Sequence, residues 1–443
     1  MPSKGKRLVV CLDGTWVNSD QGYNRPTIHD PNYTLQVPSN VTRLYRGLRK
    51  KGLDGMSQVV YYHPGVGSTG SVADEIAGGV FGSGVSEGLI TEIGLLTSRG
   101  MEYLYPIFKD TENFRNPDYK DKFPTIPFPN KPLDQREYKL RLEDEGLTRL
   151  YDPDGYRIKH AFQALALDEV RTSFAPAVWE RPRGVHTDLR QVWFCGAHSN
   201  VGGGLPDQEL ANVSMAWMMD QLADLGVAFE ENTIDRIFQE SVCYYYDQDQ
   251  DGRQTNDSPK HNRMKQWALK SIYEEHKPVR PWGLGEIVQP EIGFYKLAGK
   301  TTRTPGMYHR IDPNTALPTR QFLENTHERI HRSVRIRLAL EGLNYDDVGL
   351  YKCRALLRKG PWLLEKVRVR SRREIRDRDA YGDEEDVIQQ KEESRWGWVY
   401  DGPVEETPPQ VILLEEVLGP YEKKLLSLNK GMFEMLFLGF WES

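Results

Sequence analysis

The sequence predicts an α/β fold, a mostly parallel sheet flanked by helices, with a helical and irregular C-terminal extension. Three stretches predict it. Arg7–Leu12 and Gln58–His63 are short, unbroken and β-prone, as strands buried on both faces of a parallel sheet should be. Gln191–Ala197 is a third such run, and it leads directly into His198 and the glycines Gly202, Gly203 and Gly204. A helical period follows through Leu210, Val213, Trp217, Met218, Leu222 and Leu225, with Asp207 as its expected N-cap.

Composition narrows the function classes. Fifty-eight basic against 64 acidic residues give a net charge of −6 in 443 residues, so the overall basic field of a nucleic-acid binder is lacking. The four cysteines, Cys11, Cys195, Cys243 and Cys353, form no C-x-x-C pair and suit reduced core thiols, and a cytoplasmic chain is expected. The apolar run after the basic start ends at Asp13, and Met432–Trp441 is broken by Glu434 and Gly439; neither is long enough to span a membrane. No cofactor is implied.

The first strand ends in Asp13-Gly14-Thr15-Trp16, a turn at the carboxyl end, where amides are placed to serve as oxyanion donors or simply to close an Asx-type turn. Val41–Lys50 reads as a helix, and Pro64–Gly70 as a loop. Gly84-Val85-Ser86-Glu87-Gly88 matches G-x-S-x-G, but the glycine-rich residues before it supply no strand to hold Ser86 on a nucleophile elbow. Leu89–Asp110 and Arg136–Leu150 read as helices flanking the proline-rich Phe114–Pro132. Tyr156–Asp168 reads as an amphipathic helix through Ile158, Ala161, Phe162, Leu165 and Ala166, which leaves no strand between residues 64 and 190.

At His198 the strand, histidine loop and helix have the geometry of a catalytic base, with a tight turn around a backbone-bonded histidine as the alternative. Downstream, Ile234–Tyr246 reads as a helix, Asp247–Lys260 as a polar loop, Trp282–Lys300 as a hairpin and Arg303–Tyr308 as a turn. His327-Glu328-Arg329-Ile330-His331 fits H-E-x-x-H, yet no third ligand follows at a suitable spacing, so an ordinary helix running into Val334 and Ile336 is expected, with no metal. Lys366–Arg395, basic then acidic, reads as a solvated helix or linker, and Tyr421–Leu428 as the helix of a compact tail opened by Trp396–Tyr400.

Several of these segments together resemble one family. They are Leu8–Trp16, Asn40–Leu44, Tyr61–Gly67, His160–Glu169, Val192–Gly204 and His331–Arg335. The combination is similar to the α/β-hydrolase domain of the type VI secretion phospholipase effectors, over about residues 5–350. The resemblance implies an α/β-hydrolase-like fold and hydrolysis of a lipid or small ester by a Ser-His-Asp triad, with His198 on the triad histidine. Asn200 stands where the family usually has aspartate, and Leu205 where it has tyrosine.

Two family segments are missing. Val85-Ser86-Glu87 joins almost directly to Gly88-Leu89-Ile90, where members carry a strand and a Gly-Phe-Ser-Arg-Gly elbow. Asp154-Gly155-Tyr156 stands where the acid-bearing strand is expected. The implied domain is therefore incomplete, spanning 1–350 and lacking segments near 86–90 and 154–157, followed by a charged helical linker at 351–395 and a compact tail at 396–443. An inactive or crippled hydrolase is the expectation. The alternatives are an active esterase using Ser86 and His198, and a non-catalytic scaffold binding through the charged block.

Overall fold

The computed structural model describes residues 6–14, 23–24, 34–35, 37–64, 159–181, 187–254, 280–288, 300–311, 318–358, 361–375 and 387–429. Among them, β1 (Lys6–Leu12) and β4 (Ser57–His63) pair in parallel, Leu8 opposite Val59 and Val10 opposite Tyr61. Helix α1 (Asn40–Gly47), capped by the Ser39 hydroxyl on the Thr42 amide, joins them and packs against one face of the pair. Between β1 and α1 lie the two-residue strands β2 (Tyr23–Asn24) and β3 (Thr34–Leu35).

A second sheet is the core of the molecule. β5 (His160–Ala166) runs parallel to β6 (Asp188–Phe194), and β6 runs parallel to β9 (Glu328–Ile330). β6 is buried on both faces. Val192 and Phe194 join one cluster with Val213, Trp217 and Phe229, while Trp193 and Cys195 join another with Ile330, Trp362 and Trp398. Helices α2 (His198–Gly202), α3 (Glu209–Asp224) and α4 (Thr233–Gln254) follow. α3 is buried nearly all round, its polar Glu209, Asn212, Ser214, Asp220 and Gln221 included. The Asp207 carboxylate accepts from the Glu209 amide at 3.0 Å at its start, while Gln208 occupies the cap position itself.

Several readings of the sequence are corrected here. His160–Ala166 is a strand, where the spacing of Ala161, Phe162 and Leu165 suggested a helix. Short apolar runs fit either period, and pairing with β6 decides the matter. β6 also begins at Asp188, three residues earlier than the run that was legible. Of the charged stretch 366–395, the described residues 366–375 and 387–395 are strand, not helix: β10 (Trp362–Ile375) and β11 (Val387–Tyr400) pair antiparallel, and residues 376–386 lie outside the described residues. Lys366-Val367-Arg368-Val369 alternates charged with apolar, the period of a strand. Helix α4 continues to Gln254, through residues read as loop. No strand forms at Pro281–Val288, where a hairpin was expected; residues 289–299 lie outside the described residues.

The H-E-x-x-H residues are not on a helix. His327 precedes β9, and His331 is the N-cap of α5 (Arg332–Ala339). Along extended chain, positions i and i+4 lie about 13 Å apart, too far to share a metal. The hairpin β7 (His309–Ile311) with β8 (Pro318–Phe322), unforeseen in the sequence, precedes β9.

The C-terminal elements are built into the same core. β12 (Ile412–Leu414) pairs with β11, and its continuation at Glu415 bridges Ile330 of β9. Helix α6 (Pro420–Asn429) packs on α3 and α4. None of the described helices is long and apolar enough to cross a membrane.

Candidate functional site

The carboxyl ends of β5 and β6 lie side by side. Their ladder continues beyond the strands, the Leu167 amide donating to Phe194 O and the Asp168 amide to Gly196 O, both at 3.0 Å. Gly196 turns the chain with φ +105°, and a Cβ there would meet the Asn200 side chain at 2.5 Å. Asn200 itself bridges the turn: its Oδ1 accepts from the Ala197 amide at 3.1 Å and its Nδ2 donates to Glu286 O at 2.8 Å. An aspartate could not make the second bond.

His198 begins α2 here, and it is exposed. Its backbone amide donates to Glu169 Oε2 at 3.1 Å. Glu169 is buried and clamped by Arg171, whose Nε and Nη2 each donate to it at 2.9 Å. Burial pushes the Glu169 carboxyl up, but the Arg171 guanidinium and the two backbone amides outweigh it and hold the group below its ordinary value. The Arg171 guanidinium lies 3.6 Å from the centre of the Phe174 ring, and that ring meets the His198 imidazole edge-on at 5.0 Å. Glu169, Arg171 and Phe174 thus fix both the backbone and the ring of His198. This support was not legible in the sequence, because it depends on where β5 ends and delivers Glu169, Arg171 and Phe174 beside the end of β6.

Beside Glu169, Asp168 is buried and bonded to the Gly196 amide at 2.8 Å and to the Tyr351 hydroxyl at 3.0 Å. Burial raises its carboxyl to about 6. The neighbouring thiol of Cys195 is pushed up to about 12, first by burial and then by Asp168, and the same two causes raise Cys353 well above the ordinary thiol value. Neither thiol is a nucleophile in this state.

The glycine loop and the end of β1 are brought together. Gly203, at φ +84°, forms an antiparallel bridge with Ser39, and a Cβ on it would meet the Asn40 amide at 2.7 Å. Ser39 Oγ in turn donates to Asp13 Oδ1 at 2.6 Å. Asp13 also accepts from Thr42 and Tyr62, at 2.7 and 2.8 Å. The Gly14 amide donates to the Asp13 side chain at 3.0 Å, so it is engaged within its own turn. Gly202 leaves open space beside the backbone, while a Cβ on Gly204 would meet Val37 O at 4.0 Å. Thr15 and Ser86 lie outside the described residues.

A second serine and histidine meet elsewhere. Ser333 Oγ lies 2.8 Å from His331 Nδ1, and His331 Nε2 lies 2.7 Å from Glu422 Oε1. The order mimics a triad, yet all three are buried and the Ser333 amide also donates to Nδ1, which makes the imidazole a helix cap. Burial drives this histidine down to about 3, leaving it neutral. The arrangement holds α6 against α5, with no route for a substrate.

One protein family is similar to the N-terminal region. Residues 6–88 and 145–221 match the family T6SS, Phospholipase effector Tle1-like, catalytic domain. The Tle1-like match contains β1, α1, β4, β5 and β6, and with them Asp13, Gly14, Thr15, Ser86, His198 and Gly202 to Gly204. It ends inside α3, so the buried Ser333, His331 and Glu422 set and the β10–β11 hairpin lie outside the Tle1-like region. No curated protein and no solved structure matches the chain.

Proposed function

We propose that the chain is a phospholipase-like ester hydrolase of α/β-hydrolase type whose reaction site is the carboxyl edge of β5 and β6, with His198 as the base, and that its hydrolysis is crippled. One observation carries the location of the site. His198 is exposed at the end of a strand buried on both faces, with its amide fixed by a clamped carboxylate, which is how a sheet presents a group to a ligand. A lipid or other small carboxylic ester is the substrate class that the Tle1-like match supports.

The reading of impaired hydrolysis rests on the stretch between β4 and β5. The residues before its G-x-S-x-G are mostly glycine and serine, a composition that predicts no strand to strain a serine into reach of the histidine. Among the described residues β1 pairs only with β4, and β5 only with β6, so no strand links the two sheets. A base without an aligned nucleophile retains only residual rate. The competing reading, hydrolysis through Ser86 and His198, draws support from the family match running through Gly84–Gly88.

Labelling with a fluorophosphonate separates the two. The full chain is expected to take no covalent label. A label at Ser86 that disappears in Ser86→Ala and weakens in His198→Ala would overturn the proposal in favour of the active reading.

A further inference from the structure

The segment after α5 runs along the mouth of a cavity of about 250 Å³ at the end of β5. Asp168 and Glu169 line that cavity, and Glu169 is the residue that holds His198, so cavity and candidate site share a wall. From Leu350 to Ala355 the chain alternates strictly. Tyr351, Cys353 and Ala355 point into the core, while Leu350, Lys352 and Arg354 point outward. Val348 and Leu357 extend the outer row at its two ends. Val348, Leu350 and Leu357 are 69%, 43% and 47% exposed.

Three large aliphatic side chains and two cations therefore stand together at the rim of the cavity. Neither Lys352 nor Arg354 makes an ion pair among the described residues. The two carboxylates that line the cavity are already engaged, Asp168 by Tyr351 and Gly196 and Glu169 by Arg171, and Asp347 is paired with Arg280. The outward charge of this row is thus positive, despite the net negative charge of the chain. Exposed aliphatic groups interleaved with cations match the chemistry of an anionic bilayer surface, where apolar tips enter the headgroup boundary and cations meet phosphates.

We infer that residues 348–357 form a docking surface for an anionic phospholipid bilayer, seating the mouth of the cavity on the membrane. The inference deepens the ester-lipid reading and rests on it for the identity of the partner. Docking here brings headgroups to the wall formed by Asp168 and Glu169, beside His198. The Lys352 and Arg354 contribution is electrostatic, so it weakens with salt.

Flotation of the full-length protein with vesicles tests this directly. Vesicles of phosphatidylcholine and phosphatidylglycerol in equal parts are expected to bind the chain, and pure phosphatidylcholine vesicles to bind it far more weakly. Lys352→Ala with Arg354→Ala is expected to reduce binding about 30-fold, from about 1 kcal/mol for each cation near the surface. Val348→Ser with Leu350→Ser is expected to reduce it as well. Unchanged binding in either double variant, or no binding by the parent chain, overturns the proposal. Thermal melts of the variants confirm that each is folded, and exposed positions of this kind change stability by about 0.5 kcal/mol or less. Because vesicle binding needs no turnover, its failure leaves the fluorophosphonate result to judge the reaction site alone.

Discussion

Asp168 ties the end of β5 to both Gly196 and Tyr351, and burial raises its carboxyl from an ordinary 3.8 to about 6. A raised acid holds its proton more tightly in the folded chain than in the unfolded one. Its contribution to stability is therefore complete below about pH 3.8 and is lost as the pH rises through about 6. Asp168→Asn keeps the acceptor for Gly196 and turns an amide toward a hydroxyl that can accept. Urea unfolding should show the parent chain losing on the order of 3 kcal/mol more than this variant across that window. Equal pH dependence in the two proteins would refute the assignment. The position of His198 and Gly203 at the end of a strand was legible in the sequence because a β-prone run meeting a glycine cluster is a local signal. The clamp formed by Glu169, Arg171 and Phe174 was not, since it exists only once the preceding residues run straight as a strand.

Helix α6 shows the same division at the scale of an element. Its period marked it as a helix, but its N-terminus is capped from elsewhere in the chain: the carboxylate of Asp220, on α3, accepts from the Tyr421 and Glu422 amides at 2.8 and 3.1 Å. Contacts 201 and 202 residues apart leave no trace in a local window. Asp220→Ala is expected to cost about 1–2 kcal/mol, the usual loss for a cap, read from the shift of a denaturation midpoint. A change below about 0.5 kcal/mol would mean that packing alone seats α6. β5 and the β10–β11 hairpin were misread for a different reason. An alanine-rich run carries a helical bias that the pairing of β5 overrides, and the eye takes the charges of 366–395 for solvation before it notices their alternation.

For the molecule as a whole, the parallel pair β1 and β4 is unusual. α1 covers one face, while on the other Leu8, Val10 and Leu12 are 67%, 50% and 50% exposed, beside Val59 and Tyr61. Parallel sheets are ordinarily covered on both faces, so this patch invites association. Leu8→Thr with Val10→Thr should lower the fluorescence of a hydrophobic dye and leave the melting transition in place. Undiminished dye binding would show that the face is covered in solution.

The cap on α6 has a further consequence. Trp217 of α3 reaches Glu416 at 3.4 Å, Asp220 holds the start of α6, and Trp193 of β6 lies in one cluster with Trp398 of β11. A fragment cut where the Tle1-like match stops, at residue 221, would strip these neighbours away and bare two buried tryptophans. The stretch that matches the family is thus shorter than the stretch that must fold together.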